Sequence, residues 1–191
     1  MKITDYKVLL ASNSPRREEL LRGLDIDFEI KVLPDIDESY PSDLPVEEVA
    51  EFIALKKANS YTSNLKDDEL LITADTVVIL NNIIYGKPTN KEEAKEMLCA
   101  LSGKTHSVIS GVCLASTEKQ TSFSVGSDVE FSELTNEEIA YYIERYAPYD
   151  KAGSYGIQEW IGYIGVKYLS GSYFNIMGLP IQRLYSEMKS F

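Results

Sequence analysis

Residues 7–24 (KVLLASNSPRREELLRGL) constrain the fold more than any other stretch, because they place a strand directly before a helix. The apolar run at residues 8–11 is too short for a helix and is typical of a buried strand. Ser14 can accept backbone N–H groups as an N-cap, and Pro15 suits the first helical position, where its missing N–H costs little. The pattern therefore predicts a strand that runs straight into the N-terminus of a helix.

The first turn of this helix carries Arg16 and Arg17, although the partial positive charge of a helix N-terminus favours acidic residues there. Two guanidinium groups, free backbone N–H groups and serine hydroxyls, including that of Ser12, could together hold a phosphate. A helix start with two solvated arginines explains the same residues equally well. The residues alone leave both interpretations open.

Composition limits the class of protein. The chain has 191 residues, 44% of them hydrophobic, and a formal net charge of −11. This length and hydrophobic content predict one domain over residues 1–191, with room for two lobes. The negative charge argues against a nucleic-acid polymer as partner, because such partners usually require a basic face, but it does not exclude a small phosphorylated ligand.

Signal patterns, apolar runs and cysteine spacing indicate the cellular location and redox state that we expect. It has no signal-peptide pattern and no apolar run long enough to span a bilayer, so we expect a cytoplasmic protein with no membrane partner. The two cysteines, Cys99 and Cys113, have no spacing typical of a zinc site. We expect both to be reduced and buried.

Three carboxylates, those of Asp35, Asp37 and Glu38, follow a predicted strand at residues 28–32. Carboxylates this close in sequence could bind a hard divalent cation through their oxygens. Acidic turns are also often merely solvated, so both interpretations remain.

The helical pattern of residues 45–60 places Lys57 in the middle of its apolar face. A lysine in that position must either extend its ammonium group to solvent or meet a negative group inside. Lys57 is therefore a candidate partner for a phosphate or a carboxylate.

The run at residues 69–80 (ELLITADTVVIL) predicts a buried strand with Asp75 and Thr76 in its middle. An unpaired carboxylate in a buried strand is costly in free energy unless a cation or several donors compensate it. Asp75 is therefore the leading candidate for a chemical role, such as activating water beside a metal. A turn at Asn81 and Asn82 then leads into residues 83–85, the outgoing strand of a predicted hairpin, which delivers Lys87 at a rigid Gly-Lys-Pro corner.

The second half predicts two long strands, at residues 105–115 and 121–131, and a helix that begins with a capping box at Thr135. His106 has no second metal ligand nearby in sequence, which favours a structural role. Residues 150–158 (DKAGSYGIQ) are small and punctuated by glycine, as a backbone that approaches a ligand closely requires.

Six motifs then occur in an order that resembles the Maf family of nucleoside triphosphate pyrophosphatases. They are LASNSPRREELL, ADTVV, GKP, LSGKTHSVISGV, DKAGSYGIQ and GSYFNIMGLP, and they cover nearly the full chain. The resemblance implies a mixed α/β fold of the Maf/Ham1 (ITPase-like) type, with an elongated twisted sheet, surrounding helices and a central cleft between two lobes. It also implies a homodimer, a divalent metal (Mg²⁺ or Mn²⁺), and hydrolysis of a nucleoside triphosphate to its monophosphate and pyrophosphate.

The resemblance also assigns roles to matching residues. Asp75 would be the catalytic proton acceptor, and Glu38 would bind the metal together with it. The residues expected around the phosphates are Ser12, Arg16, Lys57 and Lys87. The residues expected to set substrate preference are Arg16, Thr76 and Gln158. The GIQ triplet and Arg16 resemble the branch that prefers dTTP and UTP. This resemblance implies a house-cleaning activity on the nucleotide pool with a link to cell-division arrest.

One residue departs from the family pattern, because Glu159 stands where glycine is expected after the GIQ triplet. The backbone conformation beside Gln158 is therefore open. A carboxylate there could also attract the positively charged base of 7-methyl-GTP, the substrate of a sister branch, which is the first alternative. The second alternative is a non-catalytic nucleotide-binding regulator of septum formation, which has no need for a carboxylate such as Asp75 beside a polyphosphate.

Overall fold

The computed structural model of the protein describes residues 5–191, which form a mixed sheet with helices around it. The strands are β1 (Lys7–Leu10), β2 (Phe28–Ile30), β3 (Glu69–Leu80), β4 (Ile83–Tyr85), β5 (Thr105–Ala115), β6 (Gln120–Phe131) and β7 (Val166–Ser170). The α-helices are α1 (Pro15–Arg22), α2 (Val49–Asn59), α3 (Lys91–Leu101), α4 (Asn136–Tyr146), α5 (Trp160–Gly165), α6 (Tyr173–Met177) and α7 (Ile181–Ser190). Short 3₁₀ turns lie at Thr62–Asn64 and Ala152–Ser154. The predicted mixed α/β class is confirmed.

The strands of the sheet follow the order β2-β1-β3-β5-β6-β7, and β4 pairs with β3. Val8 of β1 is in register with Phe28 of β2 and with Leu70 of β3, and both pairings are parallel. Parallel neighbours require a long connection, which α1 and α2 supply here. β4 runs antiparallel to β3, which confirms the predicted hairpin, and β7 runs antiparallel to β6.

Three helices begin at polar residues of the kind that cap helices. Ser14, Asn90 and Thr135 each accept the backbone N–H of the residue three positions later. At Thr135 the return bond from the Glu138 side chain is also present, so the predicted capping box is confirmed. These local bonds satisfy N–H groups that a helix start otherwise leaves without partners.

The chain divides into two compact units, and three strands, β3, β5 and β6, contribute residues to both. The described part of the first unit comprises residues 5–75, 110–125 and 178–191. The second unit comprises residues 76–109 and 126–177. The single domain over residues 1–191 and its central cleft stay predictions.

The first unit has a core where α2 packs on β1, β3 and β5. Its buried side chains are Leu9, Ala54, Ala58, Tyr61, Leu71, Cys113 and Ala115. α2 approaches β5 closely at Gly111, where an added Cβ would lie 2.2 Å from the backbone nitrogen of Glu51. α2 begins at Val49, so its predicted start at Pro45 is wrong, because residues 46–48 form a turn before the helix.

The second unit has a core that includes the inward faces of α3 and α4. Among its buried residues are Val78, Leu80, Leu98, Leu101, Val129, Phe131, Tyr142, Ile143 and Ile157. His106 lies within it, with Nε2 2.8 Å from the Tyr155 hydroxyl and its ring edge-on to Phe131. Burial lowers the pKa of His106 to about 4. The environment agrees with the structural role predicted for His106.

The two cysteines lie in different environments. Cys113 is fully buried on β5, and burial raises the pKa of its thiol to about 12. Cys99 is exposed on α3, so the expectation that both are buried is wrong for Cys99. The reason is helical geometry, since α3 turns Ala94, Leu98 and Leu101 inward and Cys99 follows Leu98 by a rotation of about 100°.

None of the helices within residues 5–191 is both long enough and apolar enough to cross a membrane.

Candidate active site

The turn between β1 and α1 holds two serine hydroxyls at a helix start. Ser12 is buried, and its Oγ accepts the backbone N–H of Ser14 at 3.2 Å. Ser14 is the N-cap of α1, and Pro15 occupies the first turn, as predicted. Backbone dipoles at such a position favour an anion, so the turn retains the chemistry expected of a phosphate-binding element.

Arg17, in the first turn of α1, has backbone carbonyl groups as partners. The Arg17 Nε donates to the carbonyl of Gly178 at 2.8 Å, and its Nη1 donates to the carbonyl of Ala74 at 2.9 Å. A longer contact of 3.5 Å joins Nη1 to Ser12 Oγ, and burial lowers the pKa of the guanidinium. Arg17 therefore fastens the turn before α7 and the strand residue before Asp75 to α1. Sequence reasoning left Arg17 as either a phosphate ligand or a solvated side chain and did not foresee this role.

The centre of the first unit's polar site is Lys57, near the end of α2. Its Nζ lies 2.8 Å from Asp75 Oδ1 on β3 and 2.8 Å from Glu38 Oε1 in the acidic loop. The side chains of Lys57 and Asp75 are only 12% and 13% exposed, whereas that of Glu38 is 50% exposed. Of the two alternatives for this inward lysine, the structure therefore has the second, in which it meets negative groups. We call Glu38, Lys57 and Asp75 the carboxylate–lysine cluster.

A buried hydrogen bond joins the two elements that carry Asp75 and Lys57, β3 and α2. The Thr73 hydroxyl on β3 donates to the carbonyl of Ala54 on α2 at 2.6 Å. Thr73 lies two residues before Asp75, and Ala54 lies three residues before Lys57. The bond therefore fixes the strand and the helix that carry the central ion pair.

The acidic loop does not act as one ligand set. Asp37 pairs with Lys56 at 2.7 Å and accepts the Ser39 backbone N–H, and the bond with Lys56 lowers its pKa to about 2. Glu38 turns instead to Lys57. Within residues 5–191 no three His, Cys, Asp or Glu side chains come together as a metal site, so the idea of one cation held by Asp35, Asp37 and Glu38 is wrong. Of the three acidic-loop carboxylates, Glu38 is the one that shares a partner with Asp75, the Lys57 ammonium group.

Other predicted residues lie in the second unit. Thr76 is half-buried on β3, and Lys87 is exposed just after β4. The corner that carries Lys87 is tied to the glycine-punctuated segment, because the Gly86 carbonyl accepts the Gly153 N–H at 3.0 Å. Arg16, which belongs to the first unit, is half-buried on α1.

Gln158 presents an unusual acceptor. Its side-chain oxygen, Oε1, is buried, and among the described residues it has no hydrogen-bond partner. A buried polar atom without a partner is costly in free energy and calls for an explanation, such as a ligand that supplies the missing donor.

Glu159 fits the backbone without strain. Its φ of −95° and ψ of 176° are extended values that any residue adopts, so glycine is not required here. Its carboxylate accepts a hydrogen bond from the Tyr142 hydroxyl and pairs with Lys151 Nζ at 3.1 Å. Neither Tyr142 nor Lys151 was predicted from the sequence to be a partner of Glu159.

Comparison with known proteins supplies independent information. The family model described as Maf-like protein matches residues 7–191. A dTTP/UTP pyrophosphatase of Bacteroides thetaiotaomicron is 59% identical over 184 residues, which are 96% of this chain and 95% of that protein. A dTTP/UTP pyrophosphatase of Parabacteroides distasonis is 58% identical over 186 residues, 97% of this chain and 96% of that protein.

Among solved structures, the chain resembles the Ham1 protein of Staphylococcus aureus. The TM-score is 0.56 at 14% identity, over 96% of this chain and 98% of that chain. This likeness concerns the fold, which agrees with the Ham1-type architecture that the motifs imply.

Proposed function

Since the chain belongs to the Maf family, we propose that it hydrolyses nucleoside triphosphates, with dTTP and UTP preferred, to the nucleoside monophosphate and pyrophosphate. The observation that carries the proposal is the carboxylate–lysine cluster, in which Asp75 is mostly buried and held by Lys57 at 2.8 Å. A binding module gains nothing from a carboxylate beside a polyphosphate. The names of relatives that are 58–59% identical support the same activity and substrates.

In the proposed reaction Asp75 acts on water. Its carboxylate accepts a proton while the water oxygen attacks the α-phosphorus, the bond from that phosphorus to the bridging oxygen breaks, and pyrophosphate leaves. Lys57 orients the carboxylate through its hydrogen bond to Oδ1. Lys57, Lys87 and Arg16 supply positive charge for the triphosphate, and Ser12 supplies a hydroxyl beside a helix N-terminus.

The cluster also fits a divalent metal. Glu38 and Asp75 each direct one carboxylate oxygen at the same ammonium group, at 2.8 Å, so both face a point where a cation is stabilised. Mg²⁺ is often bound by one or two carboxylates together with substrate phosphates. We propose Glu38 and Asp75 as the protein ligands of Mg²⁺ or Mn²⁺, which would offset the charge that develops on the phosphates.

Base preference is proposed to depend on Gln158, with Arg16 and Thr76. A glutamine amide offers one acceptor and two donors, so Gln158 could pair with the O4 and N3–H edge of uracil or thymine, whereas cytosine presents the reverse pattern. The alternative substrate 7-methyl-GTP would need a free negative charge near its base. Lys151 offsets the charge of Glu159, which favours the pyrimidine assignment.

The proposal extends to a homodimer in the cytoplasm, as the family resemblance implies. The alternative of a non-catalytic regulator of septum formation makes a distinct prediction, because such a protein would bind nucleotides without turnover. A role in cell division remains compatible with catalysis.

The test is hydrolysis of UTP, dTTP, CTP and 7-methyl-GTP at equal concentration by the purified protein, with Mg²⁺, with Mn²⁺ and with a chelator. We expect monophosphate and pyrophosphate as products, the highest kcat/KM for UTP and dTTP, and loss of turnover with the chelator. A higher kcat/KM for 7-methyl-GTP would overturn the pyrimidine assignment alone. Binding without hydrolysis of any triphosphate would overturn the enzymatic proposal.

A further inference from the structure

We propose that Arg17 is a positioning residue for the reaction, because its guanidinium group holds the main chain of β3 directly before Asp75 and so fixes where that carboxylate lies. The inference rests on the proposed function, in which Asp75 accepts a proton from the attacking water. The family resemblance assigns a role to Arg16 but none to Arg17, so the inference adds a residue to the reaction.

The first observation concerns the place where β1 leaves β3. β1 is parallel to β3, and the Ala11 N–H that follows β1 donates to the Ile72 carbonyl at 2.9 Å. Carbonyl groups along a strand alternate in direction, so the Ala74 carbonyl is the next one to face the same side. Arg17 Nη1 donates to that carbonyl at 2.9 Å. The guanidinium group therefore continues the hydrogen bonding of β3 as far as the residue before Asp75.

The second observation is that Arg17 holds two carbonyl groups at once. Its Nε donates at 2.8 Å to the carbonyl of Gly178, in the turn before α7. Nε and Nη1 belong to one planar group with fixed geometry, so the distance between their two acceptors is restrained as well. A lysine has one nitrogen at the end of a flexible chain and cannot reproduce this fork. Arg17 therefore joins α1, β3 and the turn before α7 through one rigid group.

The third observation is that the other restraints on Asp75 come from a different element. The Lys57 ammonium group and the buried bond between β3 and α2 both restrain Asp75 from α2. Neither bond contacts the Ala74 carbonyl, which belongs to the peptide group that leads into Asp75. A rotation of this peptide group would displace the carboxylate, and a displacement of about 1 Å in a reacting group can cost about 100-fold in rate. Arg17 restrains this peptide group.

The charges around Arg17 keep its contacts in place. Burial lowers the pKa of the Arg17 guanidinium, whereas the negative charges of Asp75 and Glu38 raise it. An arginine does not lose its proton in a protein, so both donors persist over the working pH range. The two carboxylates therefore offset part of the free-energy cost of burying the group that positions one of them.

The experiment measures kcat and KM for UTP in the full-length protein with Mg²⁺. Arg17→Met keeps an unbranched side chain but removes the donors, so kcat should fall about 10- to 100-fold. KM should stay within about threefold, because the groups proposed to hold the phosphates are unchanged and Ser12 keeps its bond with the Ser14 N–H. Arg17→Lys keeps the charge and one donor, so its kcat should fall only about 3- to 10-fold.

Two comparisons separate positioning from a general effect on the first unit. Asp75→Asn has no base to position, so adding Arg17→Met to it should change the residual kcat by less than about twofold, measured at raised enzyme concentration. Arg22→Met is the matched control, since it makes the same substitution on α1 at an exposed arginine that pairs with Glu18. Its kcat and KM should stay within about twofold of the wild-type values.

The outcomes distinguish the inference from the function beneath it. If the wild-type protein does not hydrolyse UTP, or if Asp75→Asn keeps a near-wild-type kcat, the proposed function or its base fails and this inference fails with it.

If both of those results support the function, three others overturn the inference alone. They are a kcat of Arg17→Met within about twofold of wild type, a KM that rises as much as kcat falls, and an equal loss of kcat in the wild-type and Asp75→Asn backgrounds. Should Arg17→Met not fold, Arg17→Lys decides by the same criteria. If neither variant folds, Arg17 serves stability alone and the inference is overturned.

Discussion

Replacement of Asp75 by asparagine should abolish most turnover without unfolding the protein. Asparagine is nearly isosteric but cannot accept a proton from water at neutral pH. Loss of a general base typically lowers kcat by about 10²- to 10⁴-fold, which corresponds to about 3–5 kcal/mol in the activation barrier. Lys57 keeps Glu38 as a counter-ion at 2.8 Å after the substitution. We therefore expect the free energy of unfolding to fall by less than about 2 kcal/mol.

The chain offers a matched control for this substitution. Asp37 also pairs with a lysine of α2, Lys56, at 2.7 Å, but it lies outside the carboxylate–lysine cluster and is exposed. Asp37→Asn makes the same change in charge and should keep kcat within about twofold. The assay is initial-rate release of pyrophosphate from UTP at saturating Mg²⁺, with urea unfolding of both variants. Near-wild-type kcat in Asp75→Asn, or an equal loss in Asp37→Asn, would refute the reasoning.

Three further predictions concern charge, pH and packing. Lys57→Ala leaves two carboxylates without their shared cation, so it should lower kcat/KM and reduce the free energy of unfolding by about 1–3 kcal/mol. Lys87→Ala changes an exposed residue, so it should lower kcat and raise KM while the free energy of unfolding changes by about 0.5 kcal/mol or less. Unchanged kinetics in both variants would contradict the roles assigned to these lysines. The pKa of His106 falls from 6.5 to about 4 on folding, so the unfolded chain binds the proton more tightly, and stability should drop by about 2 kcal/mol between about pH 7 and about pH 5 from this group alone. In urea unfolding, the His106→Gln variant should not show this loss of stability between about pH 7 and about pH 5. If the variant and the wild type lose the same free energy of unfolding over that range, His106 is not its cause. Gly111→Ala places a Cβ 2.2 Å from the α2 backbone and should therefore lower the free energy of unfolding by about 3 kcal/mol or more. A melting temperature equal to that of the wild type would disprove this prediction.

Features that depend on short-range sequence were predictable. The helical period placed Lys57 on the inward face of α2, and the structure has it between Glu38 and Asp75. The capping box at Thr135 needs only residues within one turn, and both of its bonds are present. Such features follow from local geometry, because three or four residues already determine which groups meet.

Features that depend on distant residues were not predictable. Arg17 meets Ala74 and Gly178, which lie 57 and 161 residues away in sequence, and no local pattern distinguishes it from Arg16. Glu159 finds its donor on α4, 17 residues earlier. The directions of neighbouring side chains in the acidic loop were equally open, since a loop has no fixed period.

The difference between the two cysteines gives the natural chain a single position for chemical labelling. The Cys113 thiol is fully buried and has a pKa of about 12, so it does not react at neutral pH, whereas Cys99 faces solvent on α3. α3 packs against α4, the helix that carries Tyr142. A maleimide fluorophore would therefore attach at Cys99 without any engineered substitution. Its anisotropy and quenching would report how the second unit responds when a nucleotide is added.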